Sequence, residues 1–130
     1  MLKKILIPLF AVAPLAFAPN ANADVETALA NICEIVKTND KSELRKKMKN
    51  VRSNYQLKLR DYYSGIKCNG TSLIKLAIMN DATDAGTLLV KKMPKKLLAE
   101  PEHDGKELTA WINEQGHAEH PIAIELFDRI

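Results

Sequence analysis

Hydrophobic positions recur along most of this chain three and four residues apart, the spacing of a helix face, and seldom alternate as a strand would. Val25, Ala28, Leu29, Ile32, Cys33 and Val36 form a first stripe that predicts an amphipathic helix ending near Lys37, with Asp24 placed to cap its first turn. Asp40 followed by Glu43 has the form of a capping box. Leu44, Met48 and Val51 then mark one stripe of a second helix whose other faces carry Arg45, Lys46, Lys47 and Lys49, and Ser53-Asn54 is expected to break it. Residues 55–63 read two ways, because Tyr55, Leu57 and Leu59 alternate like a strand while Tyr55, Leu59 and Tyr62 share a helix face. A single strand has no evident partner here, which favours helix.

Ser64-Gly65 and Asn69-Gly70 are turn signals, and a Thr71 or Ser72 cap leads into the helical set Leu73, Leu76 and Ala77. Asp81 to Asp84 turns the chain into a helix through Ala85, Leu88 and Leu89, which Met93-Pro94 should stop because proline lacks the amide and restricts the residue before it. This is a helical hairpin. A second follows: Asp104-Gly105 opens a stripe of Leu108, Trp111 and Ile112, Gly116 suits a left-handed cap, and Pro121 suits the first turn of a last helix. Trp111 is expected in the core with Leu108, Ile112, Ile122 and Leu126.

The N-terminus changes the picture of charge. Lys3 and Lys4, the apolar run from Ile5 to Ala18 and the small-x-small step Ala21-Asn22-Ala23 predict a signal peptide over residues 1–23, cut before Asp24. The run is too short for a permanent anchor, so no transmembrane anchor is expected after processing. Removing it takes away two lysines and no acid, so 19 basic against 16 acidic residues becomes 17 against 16, a net +1. Residues 24–130 then read as one domain in the periplasm or outside the cell. An even number of cysteines in an exported chain predicts a Cys33–Cys68 disulfide. Charge is uneven: Lys37 to Lys67 holds ten Lys or Arg against three acids, and Ala99 to Ile130 eight acids against two bases.

The Val25-Glu26-Thr27 lead to Cys33, with Cys68-Asn69-Gly70 opening a helix at Ser72-Leu73 and Ala77, resembles a family of small secreted Gram-negative proteins known only as a domain of unknown function. The resemblance covers about residues 24–90 and implies no reaction, cofactor or catalytic residue; the acidic hairpin of residues 99–130 lies outside it. The two hairpins also resemble ankyrin units, through Asn69-Gly70 against Asp104-Gly105 and the Gly116-His117 step.

Candidate chemistry is sparse. His117 and His120, three apart, are weak metal candidates because Gly116 and Pro121 place them in a turn. There is no Gly-x-Ser-x-Gly elbow and no phosphate loop, and the acids beside Pro101 have nothing to raise a pKa, so neither enzyme activity nor a cofactor is expected. Arg45, Lys46, Lys49 and Arg52 form a candidate anion site. Export argues against nucleic acid and points instead to an anionic lipid headgroup or envelope polymer. The sequence thus predicts an all-α, disulfide-stapled domain of helical hairpins. It is read first as an exported non-catalytic protein-binding domain with an envelope or extracellular partner, second as an anion- or envelope-polymer-binding protein, and third as a small enzyme.

Overall fold

Helices form where the apolar stripes fall, and they end where the backbone takes a left-handed turn or meets proline. The computed structural model describes residues 24–130, so the leader read in residues 1–23 lies outside the described residues. The chain divides into two units between Ala30 and Asn31. Residues 24–28 of the first are helical. The second contains α1 (Ile32–Lys37), α2 (Lys41–Tyr55), α3 (Leu59–Tyr62) running into a 3₁₀ turn (Tyr63–Gly65), α4 (Leu73–Met79), α5 (Thr83–Lys92), α6 (Lys95–Leu98), α7 (Leu108–Glu114) and α8 (Pro121–Arg129). Among the described residues there is no extended strand, only isolated bridges between Cys68 and Thr71 and between Pro101 and Glu107.

Side-chain caps start three of the helices. The Asp40 side chain accepts the Glu43 amide at 3.1 Å and starts α2. Ser72 does the same for α4 by accepting from the Lys75 amide. His120 caps α8 through Nδ1, which accepts the Ile122 amide at 3.1 Å, with Pro121 in the first turn. Two boundary expectations need correction. The stripe from Val25 to Val36 is not one helix, because Asn31 has φ +67° and α1 starts only at Ile32. Ser53-Asn54 does not end α2, which runs to Tyr55 and stops at Gln56 with φ +55°. Pro94 ends α5 as expected and, with φ −64°, also opens α6, which carries Lys95 and Lys96.

α4 is the centre. Six of its seven residues are buried, as expected of a helix that is apolar on every side. It packs on α1, α5 and α8, and α5 in turn packs on α2, α3 and α8. Close approach of α5 to α8 depends on Gly86, where an added Cβ would meet Ile122 Cγ1 at 2.8 Å and Ala77 Cβ at 3.0 Å. Cys33 of α1 and Cys68 are joined, with Cα atoms 5.8 Å apart, so the predicted disulfide is present. It ties α1 to the turn that leads into α4. From the α1–α2 connection, Asn39 Oδ1 accepts the Ala85 amide at 2.9 Å and satisfies the otherwise uncapped start of α5.

Leu108, Ile112, Ile122 and Leu126 are core residues as expected. Trp111 is not. It is only half-buried, 5.4 Å from the His117 ring and 5.4 Å from Lys75 Nζ, which lies over its ring.

Candidate functional site: a basic groove

The apolar stripe of α2, Leu44 and Val51, is buried, and the adjoining face is cationic. Arg45, Met48, Lys49 and Arg52 follow the i, i+3, i+4, i+7 rule and share that face. They line a groove of about 360 Å³ with Lys58 and Leu59 from the start of α3 and Lys92 from the last turn of α5. Leu59 is buried and Met48 half-buried, so the floor between the charges is apolar, while all five cationic residues are exposed. Three of the four candidate anion-binding residues therefore meet here. Lys46 does not line the groove. One residue on from Arg45 is a rotation of about 100° around the helix, and its side chain is 79% exposed beside Glu43, at 3.8 Å.

What distinguishes this groove from an ordinary solvated face is the disposition of the nearby acids. The basic stretch contains three, none of which lines the groove: Asp40 caps α2, Glu43 pairs with Lys46, and Asp61 Oδ2 accepts the backbone amide of Lys58, itself a groove residue, at 2.8 Å. No carboxylate lines the groove, and among the described residues none of Arg45, Lys49, Arg52, Lys58 and Lys92 has an ion-pair partner. Lys58 and Lys92 were not among the four candidate residues. Lys92 stands in the last turn of α5, where a cation favourably opposes the dipole of its own helix, and only the packing of α5 on α2 brings it to the groove.

The acidic C-terminal segment does not neutralise α2. Two of its carboxylates meet Lys75, the one charged side chain of the buried α4, which is 5% exposed. Lys75 Nζ lies 2.7 Å from Asp104 Oδ2 and 3.6 Å from Glu102 Oε1. The Lys75 hydrogen bond, and then the Lys106 amide, hold the Asp104 carboxyl down at about 2. Tyr63 donates its hydroxyl to Glu102 Oε2 at 2.7 Å and accepts the Ile74 amide at 3.4 Å. Burial, and next the Glu102 charge, push the Tyr63 hydroxyl well above its usual range. A cavity of about 280 Å³ lies beside this pair, walled by Met93, Leu98 and Leu108; Tyr63 and Glu102 are joined through Oε2, while the buried Glu102 Oε1 has only the Lys75 ammonium, at 3.6 Å.

The histidines do not come together as a site. His120 uses Nδ1 to cap α8 and has Nε2 3.0 Å from Asp81, so neither ring nitrogen is left for a ligand. His117 stands against Trp111, and His103 Nε2 is 2.9 Å from the Gly70 carbonyl. No cluster of three ligating side chains occurs among the described residues. Nor is any described helix long and apolar enough to cross a membrane.

Fold and surface together define a small, disulfide-stapled helical domain with an uncompensated basic groove. The chain belongs to the family described as protein of unknown function (DUF3718), whose profile matches residues 32–100. No curated protein and no solved structure was found to match the chain. The matched region holds both cysteines and every residue lining the groove, and it stops before Glu102, Asp104 and the α7–α8 hairpin. The ankyrin likeness has no support in these comparisons.

Proposed function

We propose that this is an exported, non-catalytic binding protein whose basic groove takes anionic polymers or headgroups of the cell envelope. The observation that carries the reading is the convergence of Arg45, Lys49, Arg52, Lys58 and Lys92 on a groove lined by no carboxylate. Five cations lining one groove with no carboxylate among them concentrate positive potential there, which draws an anion. Export rests on the leader pattern in residues 1–23 and agrees with a disulfide, which persists in oxidising compartments. The test is retention on an immobilised sulfated polysaccharide at low salt, using the protein without its leader. Arg45→Glu and Arg52→Glu should each reduce retention, and added salt should abolish it. Undiminished retention in both variants would remove the groove from the account.

A protein partner, ranked first from the sequence, is the second reading. It is favoured by Ile124, Phe127 and Ile130, large apolar side chains left exposed along and just after α8. A stoichiometric protein held through high salt and lost in Phe127→Asp would support it over the groove.

A further inference from the structure

The groove's geometry restricts its ligand further, an inference that rests on the anion-binding reading. We propose that it selects a compact molecule carrying two phosphate groups about 10 Å apart on a spacer with an apolar face. Arg45 and Arg52 are seven residues apart on one face of α2, which at about 1.5 Å per residue separates their backbone positions by about 10 Å. Guanidinium is the side chain whose planar fork matches phosphate with two parallel hydrogen bonds, so the arginines at either end set two phosphate positions. Lys49 lies between them, and Lys58 and Lys92 close the other side.

The charge count points the same way. A single phosphate monoester carries about 1.5 to 2 negative charges near neutral pH, well short of the five cations lining the groove, whereas two such groups carry about 3 to 4. Two carboxylates would supply only two. Between the arginines the wall is Met48 and the buried Leu59, which offers apolar contact to the C–H face of a sugar ring and no hydrogen bond. At about 360 Å³ the groove is at the small end of ligand sites and holds one headgroup, or one repeat of a polymer, at a time. Such a bisphosphate could be soluble or could be the headgroup of a glycolipid; the chemistry read by the groove is the same.

The test is calorimetric titration of the leaderless protein at fixed ionic strength with inorganic phosphate, glucose 6-phosphate and fructose 1,6-bisphosphate. The bisphosphate should bind at least about tenfold more tightly than either monophosphate, a difference of about 1.4 kcal/mol. Arg45→Ala and Arg52→Ala should each bring it to the level of glucose 6-phosphate, while Lys46→Ala should leave the preference intact. All these positions are exposed helix sites, so each variant should fold. Equal affinity for mono- and bisphosphate, or a preference that survives both arginine changes, overturns the inference. If that happens while groove-dependent binding to the sulfated polysaccharide persists, the anion reading stands and only the bisphosphate selectivity falls; if neither ligand binds, both fall. Phosphatidylcholine vesicles doped with a bisphosphorylated disaccharide lipid identify the source. Co-sedimentation with these vesicles, lost in Arg45→Ala and Arg52→Ala, marks a membrane-held headgroup; binding of the sugar bisphosphate with no co-sedimentation marks a soluble one.

Discussion

Two adjacent tyrosines, both buried and both ending in a hydroxyl, should respond in opposite directions to the same substitution. Tyr63 is bonded: its hydroxyl donates to Glu102 Oε2 and accepts from the Ile74 amide. Glu102 is 7% exposed at its side chain, and its Oε1 makes no hydrogen bond among the described residues. Tyr63→Phe therefore leaves a buried carboxylate with Lys75, at 3.6 Å, as its remaining partner. Hydrogen bonds to charged groups contribute about 1.5–3 kcal/mol, and orphaning a buried charge adds to the loss, so the variant should be destabilised by about 2–3 kcal/mol. The Tyr62 hydroxyl is equally inaccessible but has no hydrogen-bond partner among the described residues. Removing it deletes an unsatisfied polar atom and leaves the ring in place, so Tyr62→Phe should be neutral or up to about 1 kcal/mol stabilising. Urea unfolding followed by circular dichroism would compare the midpoints at constant slope. On a domain of this size the pair should differ by at least about 8 °C in Tm. Equal losses, or a larger loss at Tyr62, would refute the assignment of Tyr63 as the hydroxyl that anchors the acidic segment to α4.

Other outcomes follow from the packing and the ion pairs. Gly86→Ala gains up to about 1 kcal/mol in helix propensity but forces a methyl between Ile122 and Ala77, so the net effect should be a loss of about 1–2 kcal/mol, read by the same unfolding assay. Reduction of Cys33–Cys68, or Cys33→Ala, should lower stability by about 2–4 kcal/mol and release amide exchange in residues 37–67 first; the oxidised, unfolded protein should show no titratable thiol. Asp104 has a folded-state pKa below its ordinary 3.8, so its contribution is present above that value and is lost as pH falls toward about 2. Because the Asp104 side chain is 41% exposed, the loss should be at most about 1 kcal/mol, and Asp104→Asn should remove that part of the acid limb. At the alkaline end, burial and then Asp61 raise the Tyr62 hydroxyl from 10 to about 12. Stability should fall as pH climbs through that window, less steeply in Tyr62→Phe.

The all-helical class and the α4–α5 and α7–α8 hairpins were legible because they depend on local signals, and the disulfide because the chain has two cysteines. Asp40, Ser72, Gly116 and Pro121 act where they stand, and apolar stripes declare their own faces. Residues in left-handed conformations were harder to see. Asn31 and Gln56 set helix ends with no glycine to mark them, while Ser53-Asn54, composed of typical breakers, continues the helix because its side chains are free to face solvent. Trp111 shows the limit of periodicity, since its position on the Leu108–Ile112 stripe could not reveal that a buried lysine would take the space above its ring. The groove was half legible. Arg45, Lys49 and Arg52 share a helix face that spacing reveals, whereas Lys58 and Lys92 join them only through tertiary packing, and the exclusion of Asp40, Glu43 and Asp61 depends on which donors they turn toward.

Mapping amide shifts of isotope-labelled, leaderless protein during titration with a soluble anionic envelope polysaccharide tests the groove as the functional surface most directly. The account predicts saturable changes confined to residues 45–59 and the end of α5 at Lys92, suppressed by salt and by Arg52→Glu. Changes that cluster instead on α8, around Ile124 and Phe127, or no saturable change at low salt, would contradict it.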